Sequence, residues 1–443
     1  MTRYLIVGAG AAGVAAAETI RRRDPAGEIT LVAEEPDGYY SRPGLAYYLT
    51  GELPESQLFP FTLEEFRTLK IIWVNAAAAS VDPVSRKVIL ANGRALPYDR
   101  LLLATGATAR GPDIPGGELH GVVNLDNIRD ARAIIGRARK AKAAVVVGGG
   151  ITALEIVEGL VAQKLTVHYF LRGDRYWGNV LDEFESKIIE HRLQEEGVIL
   201  HYHTEAEEII GKPGGLLKRG PLEVAGVRTT NGEVIPCELA AVAIGVVPRI
   251  ELAETAGLEM DRGVIVDDGM RTSNPDIYAA GDIAQAYDPA ARRKVLDILW
   301  PVAREQGRVA GENMAGGNAV YVKDAPMNVT RLAGLTTSII GAVGGGGRDE
   351  DTIGIVRGDS ETWREIPDAL VSQQGFDVNR IRLMVGERTI AGAIVMGDQT
   401  LSRPIHQMVV RGVDITPIRE SLLAPGADVA DVIAEFWGSL KLA

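Results

Sequence analysis

The stretch YLIVGAGAAG, residues 4–13, decides the fold, because an apolar run leads directly into Gly8, Gly10 and Gly13. It predicts a buried strand, a tight turn at Gly8 and a helix from Ala11 to about Arg23. Gly10 lets a pyrophosphate approach the backbone, and Gly13 permits close packing of the helix on the strand. The helix N-terminus then directs its N–H groups at the phosphates. The beginning of the chain therefore predicts a dinucleotide-binding βαβ unit.

The second strand of this unit is predicted over residues 29–33, ITLVA, and two acids follow it, Glu34 and Glu35. In units of this kind an acid at the end of the second strand binds the ribose hydroxyls of the nucleotide. The residue pattern alone leaves both acids as candidates.

Residues 143–171 repeat the strand–helix–strand pattern around the glycines Gly148, Gly149 and Gly150. Ala153 stands where the third glycine of the motif is expected, which is an accepted variant. Two such units in one chain predict two dinucleotides. Two dinucleotides side by side favour the transfer of a hydride or of electrons between them.

Composition excludes several classes of protein. The 443 residues contain 47 Lys and Arg against 59 Asp and Glu, a net charge of −12, so nucleic acid is not an expected partner. The one cysteine, Cys237, excludes a disulfide framework, a CxxC pair and a cysteine-rich metal site within the chain. The sequence has no uncharged apolar stretch near the roughly 20 residues of a membrane helix. We therefore expect a soluble, cytoplasmic protein with no membrane partner.

Two histidines, His201 and His203, are predicted to share one face of a strand and could supply two ligands to a metal. No third ligand stands at a suitable spacing, so we predict a solvated strand face and no metal site.

The sequence changes character from about Tyr321. Gly344–Gly347 predicts a flexible or tightly turning loop, and residues 380–385 with 389–396 predict a hairpin. The last ~30 residues predict amphipathic helix interrupted at Pro425-Gly426. This region is predicted to be an α+β C-terminal domain.

Three further motifs connect these parts: DRLLLATG at 99–106, AIGVVP at 243–248 and TSNPDIYAAGD at 272–282. With the two glycine loops they resemble the two-dinucleotide flavoproteins of the pyridine nucleotide–disulfide oxidoreductase family, from residue 3 to about 317. The resemblance implies an α/β protein with two Rossmann-like domains, one for FAD and one for NAD(P), and a C-terminal α+β interface or dimerisation domain. The implied boundaries are 1–110 with 245–320 for FAD, 111–244 for NAD(P) and 321–443 for the C-terminal domain.

The segment YSRPGL, residues 40–45, lacks the cysteines of the disulfide reductases. It is similar to the branch that contains rubredoxin and ferredoxin reductases, the flavin module of nitrite reductase and apoptosis-inducing factor. This resemblance implies that Arg42 reaches the FAD pyrophosphate or ribityl chain, that Glu34 rather than Glu35 binds the adenosine ribose, and that Asp282 binds the ribityl chain. A surface ion pair is the alternative for Arg42. Further FAD contacts are implied for Ala11, Ala79, Thr105, Gly106, Arg110, Gly281 and Trp300. The alternative for Trp300 is a buried core residue.

One position departs from that branch, which usually has a lysine by the flavin N5 where this chain has Tyr47. The lysine's partner in the second glycine loop is present as Glu155. Either Tyr47 hydrogen-bonds Glu155, or the carboxyl is differently solvated and its pKa is raised. We predict that Tyr47 and Glu155 flank the nicotinamide site.

The second nucleotide is NADH or NADPH. The predicted strand that selects between them ends at Leu171, where an acid is usual in NADH sites, and Arg172 and Arg175 follow. Both arginines could hold a 2′-phosphate, whereas Asp174 could serve a 2′-hydroxyl. Further NAD(P) contacts are implied for Gly148, Gly150, Ile151 and Gly245.

The predicted function is hydride transfer from NAD(P)H to FAD, followed by electron transfer to a redox protein of the rubredoxin or ferredoxin kind, or to a partner metalloenzyme subunit. Cys237 is expected to be a structural thiol, so no cysteine relay takes part. A helix over residues 302–313, with Pro301 at its start, is implied to face the flavin. The alternatives are a reductase or oxidase for a diffusible quinone or O₂, and an NAD(P)H-gated redox-sensing interaction protein. A homo-oligomer is also compatible with the C-terminal domain.

Overall fold

The structure, a computed structural model, describes residues 1–213, 222–344, 355, 357–376 and 378–440. The βαβ unit predicted from the opening glycines is present, with its helix at the predicted bounds. The first part of the chain contains β1 (Arg3–Val7), α1 (Ala11–Arg23), β2 (Glu28–Ala33), α2 (Gly44–Thr50), α3 (Leu63–Thr68), β3 (Ile71–Asn75), β4 (Ala78–Asp82), β5 (Lys87–Leu90), β6 (Ala95–Pro97), β7 (Arg100–Leu103) and β8 (Ala107–Ala109).

The middle of the chain contains the second βαβ unit, again within two residues of its predicted bounds. Its elements are β9 (Val122–Val123), α4 (Ile128–Ala138), β10 (Ala143–Val147), α5 (Ile151–Ala162), β11 (Thr166–Phe170), α6 (Glu183–Glu195), β12 (Ile199–His201), β13 (Ala206–Pro213), β14 (Leu222–Thr229), β15 (Val234–Pro236) and β16 (Leu239–Val242). A parallel sheet in the order β12-β11-β10-β16-β9 forms its centre. The antiparallel strands β13, β14 and β15 form a separate three-stranded layer.

The chain then returns to the first sheet through β17 (Val246–Pro248), α7 (Glu251–Thr255), β18 (Val264–Ile265), β19 (Ile277–Ala279), β20 (Ala284–Asp288), β21 (Arg293–Val295) and α8 (Trp300–Met314). Strand β19 pairs with β7, which completes a parallel sheet in the order β19-β7-β1-β2-β3. Strands β8 and β17 pair at the two passages between the sheets. The first sheet is thus built from two separate stretches of chain, while the exact domain boundaries given above stay predictions.

The C-terminal part consists of β22 (Met327–Leu332), β23 (Leu335–Gly341), β24 (Leu370–Phe376), β25 (Asn379–Val385), β26 (Ile390–Met396), α9 (Ser402–Val410), α10 (Arg419–Leu423) and α11 (Val429–Ser439). The strands form an antiparallel sheet in the order β22-β23-β26-β25-β24, so the predicted hairpin is confirmed as β25 and β26. The interrupted terminal helix is confirmed as α10 and α11. Of the predicted glycine loop, Gly345–Gly347 lies outside the described residues.

The C-terminal sheet packs against the second parallel sheet without a solvent layer between them. Leu335, Ile339 and Ile394 of the C-terminal sheet belong to the same buried core as α5 and β11. The ring of Trp363 is fully buried and meets that of Trp177 edge to face, with 6.2 Å between ring centres. This shared core fixes the position of β22 relative to α5.

The prediction that His201 and His203 share one face of a strand is wrong. Strand β12 ends at His201, and His203 has a φ of 49°, so the two side chains do not share a strand face. His201 instead meets His168 of β11, with 2.9 Å between Nε2 and Nδ1. The described part of the chain contains no group of three possible metal ligands. Nor does any described helix combine the length and apolar character needed to cross a bilayer.

Candidate active site

One cavity of about 560 Å³ lies at the carboxyl ends of β1, β2, β7 and β19, bounded on the far side by α5 and β22. This edge of a parallel sheet is where ligands bind in open α/β folds, and the volume is within the range of small-molecule sites, roughly 300–1,000 Å³. The cavity brings together most of the residues proposed from the sequence. They are Gly8, Gly10, Ala11, Glu34, Arg42, Tyr47, Ala79, Thr105, Gly106, Ile151, Glu155, Gly281, Asp282 and Trp300.

The first glycine loop has the geometry that the motif requires. Gly8 has a φ of 112°, and a Cβ there would lie 2.0 Å from the carbonyl oxygen of Ala104. A Cβ at Gly13 would meet the carbonyl oxygen of Gly8 at 2.0 Å, so Gly13 serves packing and does not line the cavity. A Cβ at Gly10 would meet nothing within 4 Å, because that position faces the open cavity. No side chain caps the N-terminus of α1, so its N–H groups remain available to a phosphate.

The second glycine loop repeats this arrangement. Gly148 has a φ of 145°, and a Cβ there would lie 2.3 Å from the carbonyl oxygen of Ala243. Gly150 precedes α5, whose N-terminus also lacks a side-chain cap. Gly150 and Gly245 line a smaller cavity, and Arg357 borders both this cavity and the larger one. The two loops therefore border adjacent cavities.

The two acids after β2 have different surroundings. Glu35 accepts a hydrogen bond of 2.6 Å from the Tyr40 hydroxyl and pairs with Arg42 at 2.5 Å. Glu34 is exposed and lines the cavity, which leaves its carboxylate able to bind ribose hydroxyls. Arg42 thus forms an ion pair, as in the alternative to FAD binding, but it also lines the cavity.

Glu155 is the most perturbed carboxyl group in the cavity. Burial, and then the charge of Glu158 one turn along α5, raises its pKa to about 8. Burial also raises the pKa of Glu158 to about 7, against a hydrogen bond of 2.9 Å from the Gly334 N–H. Among the described contacts no hydrogen bond joins Tyr47 to Glu155. Burial of the Glu155 carboxyl, without that hydrogen bond, agrees with the second alternative, a raised pKa. The placement of Tyr47 and Glu155 beside the nicotinamide stays a prediction.

The sequence did not predict four residues that lie in or beside the cavity: Asp126, Glu158, Arg331 and Arg357. The buried Asp126 carboxylate accepts from Arg249 at 3.0 Å and from Arg357. Arg357 also lies 3.6 Å from Asp282, whose pKa burial raises while Arg357 lowers it. Of the four, only Glu158 stands near a motif, and the two arginines come from the C-terminal part of the chain.

Five proposed residues line neither cavity: Gly13 and Gly148, which shape the two glycine loops, and the three arginines Arg110, Arg172 and Arg175. Arg110 is exposed, and its backbone N–H donates to the Gly245 carbonyl at 2.9 Å. Arg172 lies 3.7 Å from Glu205, and Arg175 lies 3.1 Å from Asp174. Their roles stay predictions, and so does the choice between NADH and NADPH.

Trp300 begins α8 at the edge of the large cavity. Its side chain is 43% exposed, and the guanidinium of Arg304 lies 5.1 Å from the ring centre. The alternative that Trp300 is a buried core residue is therefore wrong. No side chain caps the N-terminus of α8, whose partial positive charge is directed toward the cavity.

These residues fit an extended dinucleotide. Open space over Gly10, an uncapped helix N-terminus and the exposed carboxylate of Glu34 match a pyrophosphate and a ribose. Together with the second loop and the adjacent smaller cavity, they define a flavoprotein that exchanges electrons with a nicotinamide nucleotide.

The chain belongs to the pyridine nucleotide-disulphide oxidoreductase family, whose sequence pattern matches residues 2–307. It is 37% identical over 343 residues to a rubredoxin-NAD(+) reductase of Pseudomonas putida, covering 76% of this chain and 86% of that protein. It is 28% identical over 446 residues to the epsilon subunit of an NADH-dependent phenylglyoxylate dehydrogenase of Aromatoleum evansii, covering 98% of both. A ferredoxin reductase structure from Rhodopseudomonas palustris superposes with a TM-score of 0.83 at 24% identity, over 98% of this chain and 100% of that one.

The predicted fold class is confirmed: two Rossmann-like domains for FAD and NAD(P), and a C-terminal α+β domain. The protein is an FAD-dependent oxidoreductase that uses a pyridine nucleotide. Because the sequence has one cysteine, the disulfide chemistry in the family's name cannot take place within this chain. Cys237 is buried, and burial raises the pKa of its thiol to about 12.

Proposed function

We propose that this protein takes a hydride from NAD(P)H and delivers the electrons to a separate redox protein or to a redox subunit of a larger complex. The observation that carries the proposal is the exposed apolar rim of the cavity. Tyr47, Trp300 and Val329 line the cavity and remain 39%, 43% and 54% exposed. Apolar side chains exposed together at a cavity edge are typical of a protein docking site. Electrons that pass from the cavity to a partner docked at this rim need no cysteine relay.

The residues of the chain would divide the binding of the two nucleotides between them. Gly10 and the N-terminus of α1 would hold the FAD pyrophosphate, Glu34 the adenosine ribose and Asp282 the ribityl chain. The N-terminus of α5, at Gly150 and Ile151, would hold the nicotinamide nucleotide. When bound, FAD supplies the conversion between a two-electron donor and a one-electron acceptor. The protein contributes orientation and a positive potential from α8.

The relatives support both kinds of acceptor. One is named for reduction of rubredoxin, a small redox protein. The other is a subunit of a dehydrogenase and is similar to this chain over 98% of its length. Because this protein has a net charge of −12, an acidic carrier would need a locally basic surface on it. Arg304, which lies beside Trp300 and 3.7 Å from Glu18, is the arginine nearest to that role at the rim.

The test compares acceptors with the FAD-loaded protein. We expect NAD(P)H to reduce the flavin rapidly, and a rubredoxin or a [2Fe–2S] ferredoxin to be reduced with kcat/KM at least tenfold above that for O₂ or a soluble quinone. The same assay run with NADH and with NADPH assigns the donor. Equal or faster turnover with quinone or O₂ would identify the diffusible-acceptor alternative. Slow flavin reduction with a long-lived charge-transfer band would identify a redox sensor.

A matched pair of variants tests the rim. Val329→Glu places a negative charge on the docking surface without touching the glycine loops, whereas Val84→Glu changes a residue that is 94% exposed on a distant turn. We expect Val329→Glu to raise KM for an acidic carrier at least fivefold and to leave ferricyanide reduction unchanged. An equal effect of both variants would show that the rim is not the docking surface.

A further inference from the structure

Glu155 and Glu158 form a pair of carboxyl groups on the cavity side of α5. Residues three apart on a helix are neighbours, both carboxyls line the cavity, and each is half-buried. Two carboxylates at this spacing repel each other in a partly desolvated wall. The pair therefore needs positive charge nearby if both groups are to ionise.

Three of the four arginines that line the cavity pair with carboxylates on its FAD side. Arg42 pairs with Glu35, and Arg249 and Arg357 pair with Asp126. Arg357 still lowers the pKa of Glu155 from that direction.

Arg331 approaches from the opposite side, on β22. Its Nη1 and Nη2 lie 2.7 Å from the two carboxylate oxygens of Glu52, and its guanidinium carbon lies 4.9 Å from the centre of the Tyr47 ring. The turn that follows β22 supplies the Gly334 N–H that Glu158 accepts at 2.9 Å. The same hairpin of the C-terminal domain thus hydrogen-bonds Glu158 directly and places Arg331 in the wall of the cavity that Glu155 and Glu158 also line.

We infer that Arg331, held over Tyr47 by Glu52, acts beside Arg357 as a counter-ion through which the C-terminal domain sets how readily Glu155 and Glu158 lose their protons. The inference rests on the proposed function, because it concerns the nicotinamide end of the cavity. A bound oxidised nicotinamide ring is positively charged and the reduced ring is neutral, so the ionised pair favours the oxidised form. Arg331 is then a positioning residue that adjusts the balance between substrate and product binding.

The charged groups around the pair give the direction of the effect. Burial raises the pKa of both carboxyls. Arg357 and, less strongly, Arg331 lower the pKa of Glu155, whereas the Gly334 N–H and then Arg331 lower that of Glu158. The carboxylates of Glu52 and Glu196 raise the pKa of Glu158, and the Tyr176 hydroxyl is buried close to both groups. Removing Arg331 should therefore raise the pH at which the pair ionises.

The test measures NAD⁺ binding to the FAD-loaded protein by calorimetry between pH 6 and pH 10. In the wild type we expect the affinity for NAD⁺ to rise as the pair ionises, with midpoints near the values of about 7 and 8 for Glu158 and Glu155. Arg331→Gln should move the midpoint upward by at least half a pH unit, which is a threefold change in the proton equilibrium. Arg331→Lys should restore most of it.

The control is Arg388→Gln, which removes an exposed arginine of the C-terminal domain whose partner is Asp414; its midpoint should match the wild type. Glu155→Gln and Glu158→Gln should each remove one step of the pH dependence. NAD⁺ binding whose midpoint is the same in wild type and Arg331→Gln would overturn the role of Arg331 and leave the proposed function standing. If the protein bound neither NAD⁺ nor NADP⁺ at any pH, both the role of Arg331 and the proposed function would be overturned.

Discussion

Gly307 lies where α8 crosses α1, and its replacement by alanine should separate the two helices. A Cβ at position 307 would lie 2.1 Å from the carbonyl oxygen of Ala12 and 2.8 Å from its Cα. Ordinary contacts begin near 3.4 Å, and both atoms belong to the backbone, so no rotamer change relieves the overlap. The helices must move apart by about 1 Å, a shift larger than packed cores absorb without cost.

The free energy of unfolding follows from two opposing effects. Overpacking costs typically about 1–3 kcal/mol, and a backbone contact belongs at the upper end. Replacing glycine by alanine within a helix returns about 1 kcal/mol. Gly307→Ala should therefore lose about 2 kcal/mol, which lowers Tm by about 4–8 °C in a domain of this size. Because the N-termini of both helices border the cavity, the purified variant should also retain less FAD.

Gly136→Ala is the matched control, since Gly136 also lies within a helix, α4, but a Cβ there would meet nothing within 4 Å. This variant should gain up to about 1 kcal/mol and keep its full FAD content. The assay is thermal unfolding followed by circular dichroism, with FAD content measured by absorbance. If Gly307→Ala unfolds at or above the wild-type temperature, the close approach of α1 and α8 is not what the reasoning requires.

Three further variants test other parts of the structure. Asp126→Ala removes the shared acceptor of Arg249 and Arg357, so urea unfolding should show a loss of about 2 kcal/mol; an unchanged midpoint would contradict it. Cys237→Ser should keep wild-type turnover per bound FAD, because the thiol is buried and stays protonated at neutral pH; lost turnover at full FAD content would implicate the thiol. The pKa of Glu155 is raised in the folded protein, so stability should fall as pH rises from about 4.5 through about 8. Glu155→Gln should show a smaller fall in Tm between pH 6 and pH 9, and an identical fall would refute the assignment.

Much of the fold follows from short stretches of sequence. The tight turns at Gly8 and Gly148 use positive φ angles, and the apolar runs before them form the central strands of the two parallel sheets. These signals are local, since a strand, a glycine and a helix start lie within about ten residues. Most residues around the large cavity could be predicted for the same reason, because they stand in or beside the glycine turns and the other short motifs of the sequence.

Contacts between distant parts of the chain carried no such signal. Arg331 reaches the cavity because β22 packs against α5. Arg357 reaches it while donating a hydrogen bond to the Ala107 carbonyl of β8. The pairing of His201 with His168 depends on the register of β11 and β12, in which His201 lies opposite Phe170. A single sequence contains no local pattern for either arrangement. It therefore predicts a shared strand face for His201 and His203, and it does not predict that Arg331 and Arg357 lie at the cavity.

Asp126 accepts hydrogen bonds from several parts of the chain that could otherwise be regarded as exchangeable modules. Arg249 reaches it from the segment after β17 and Arg357 from the C-terminal domain, while its own carbonyl accepts from Arg42 of the first domain. A chimaera that takes its C-terminal domain from a relative would lose the bond from Arg357, unless the relative also has an arginine at the equivalent position. Successful recombination in this protein should therefore follow Asp126 and its arginines as a set, and not the boundaries of the sheets.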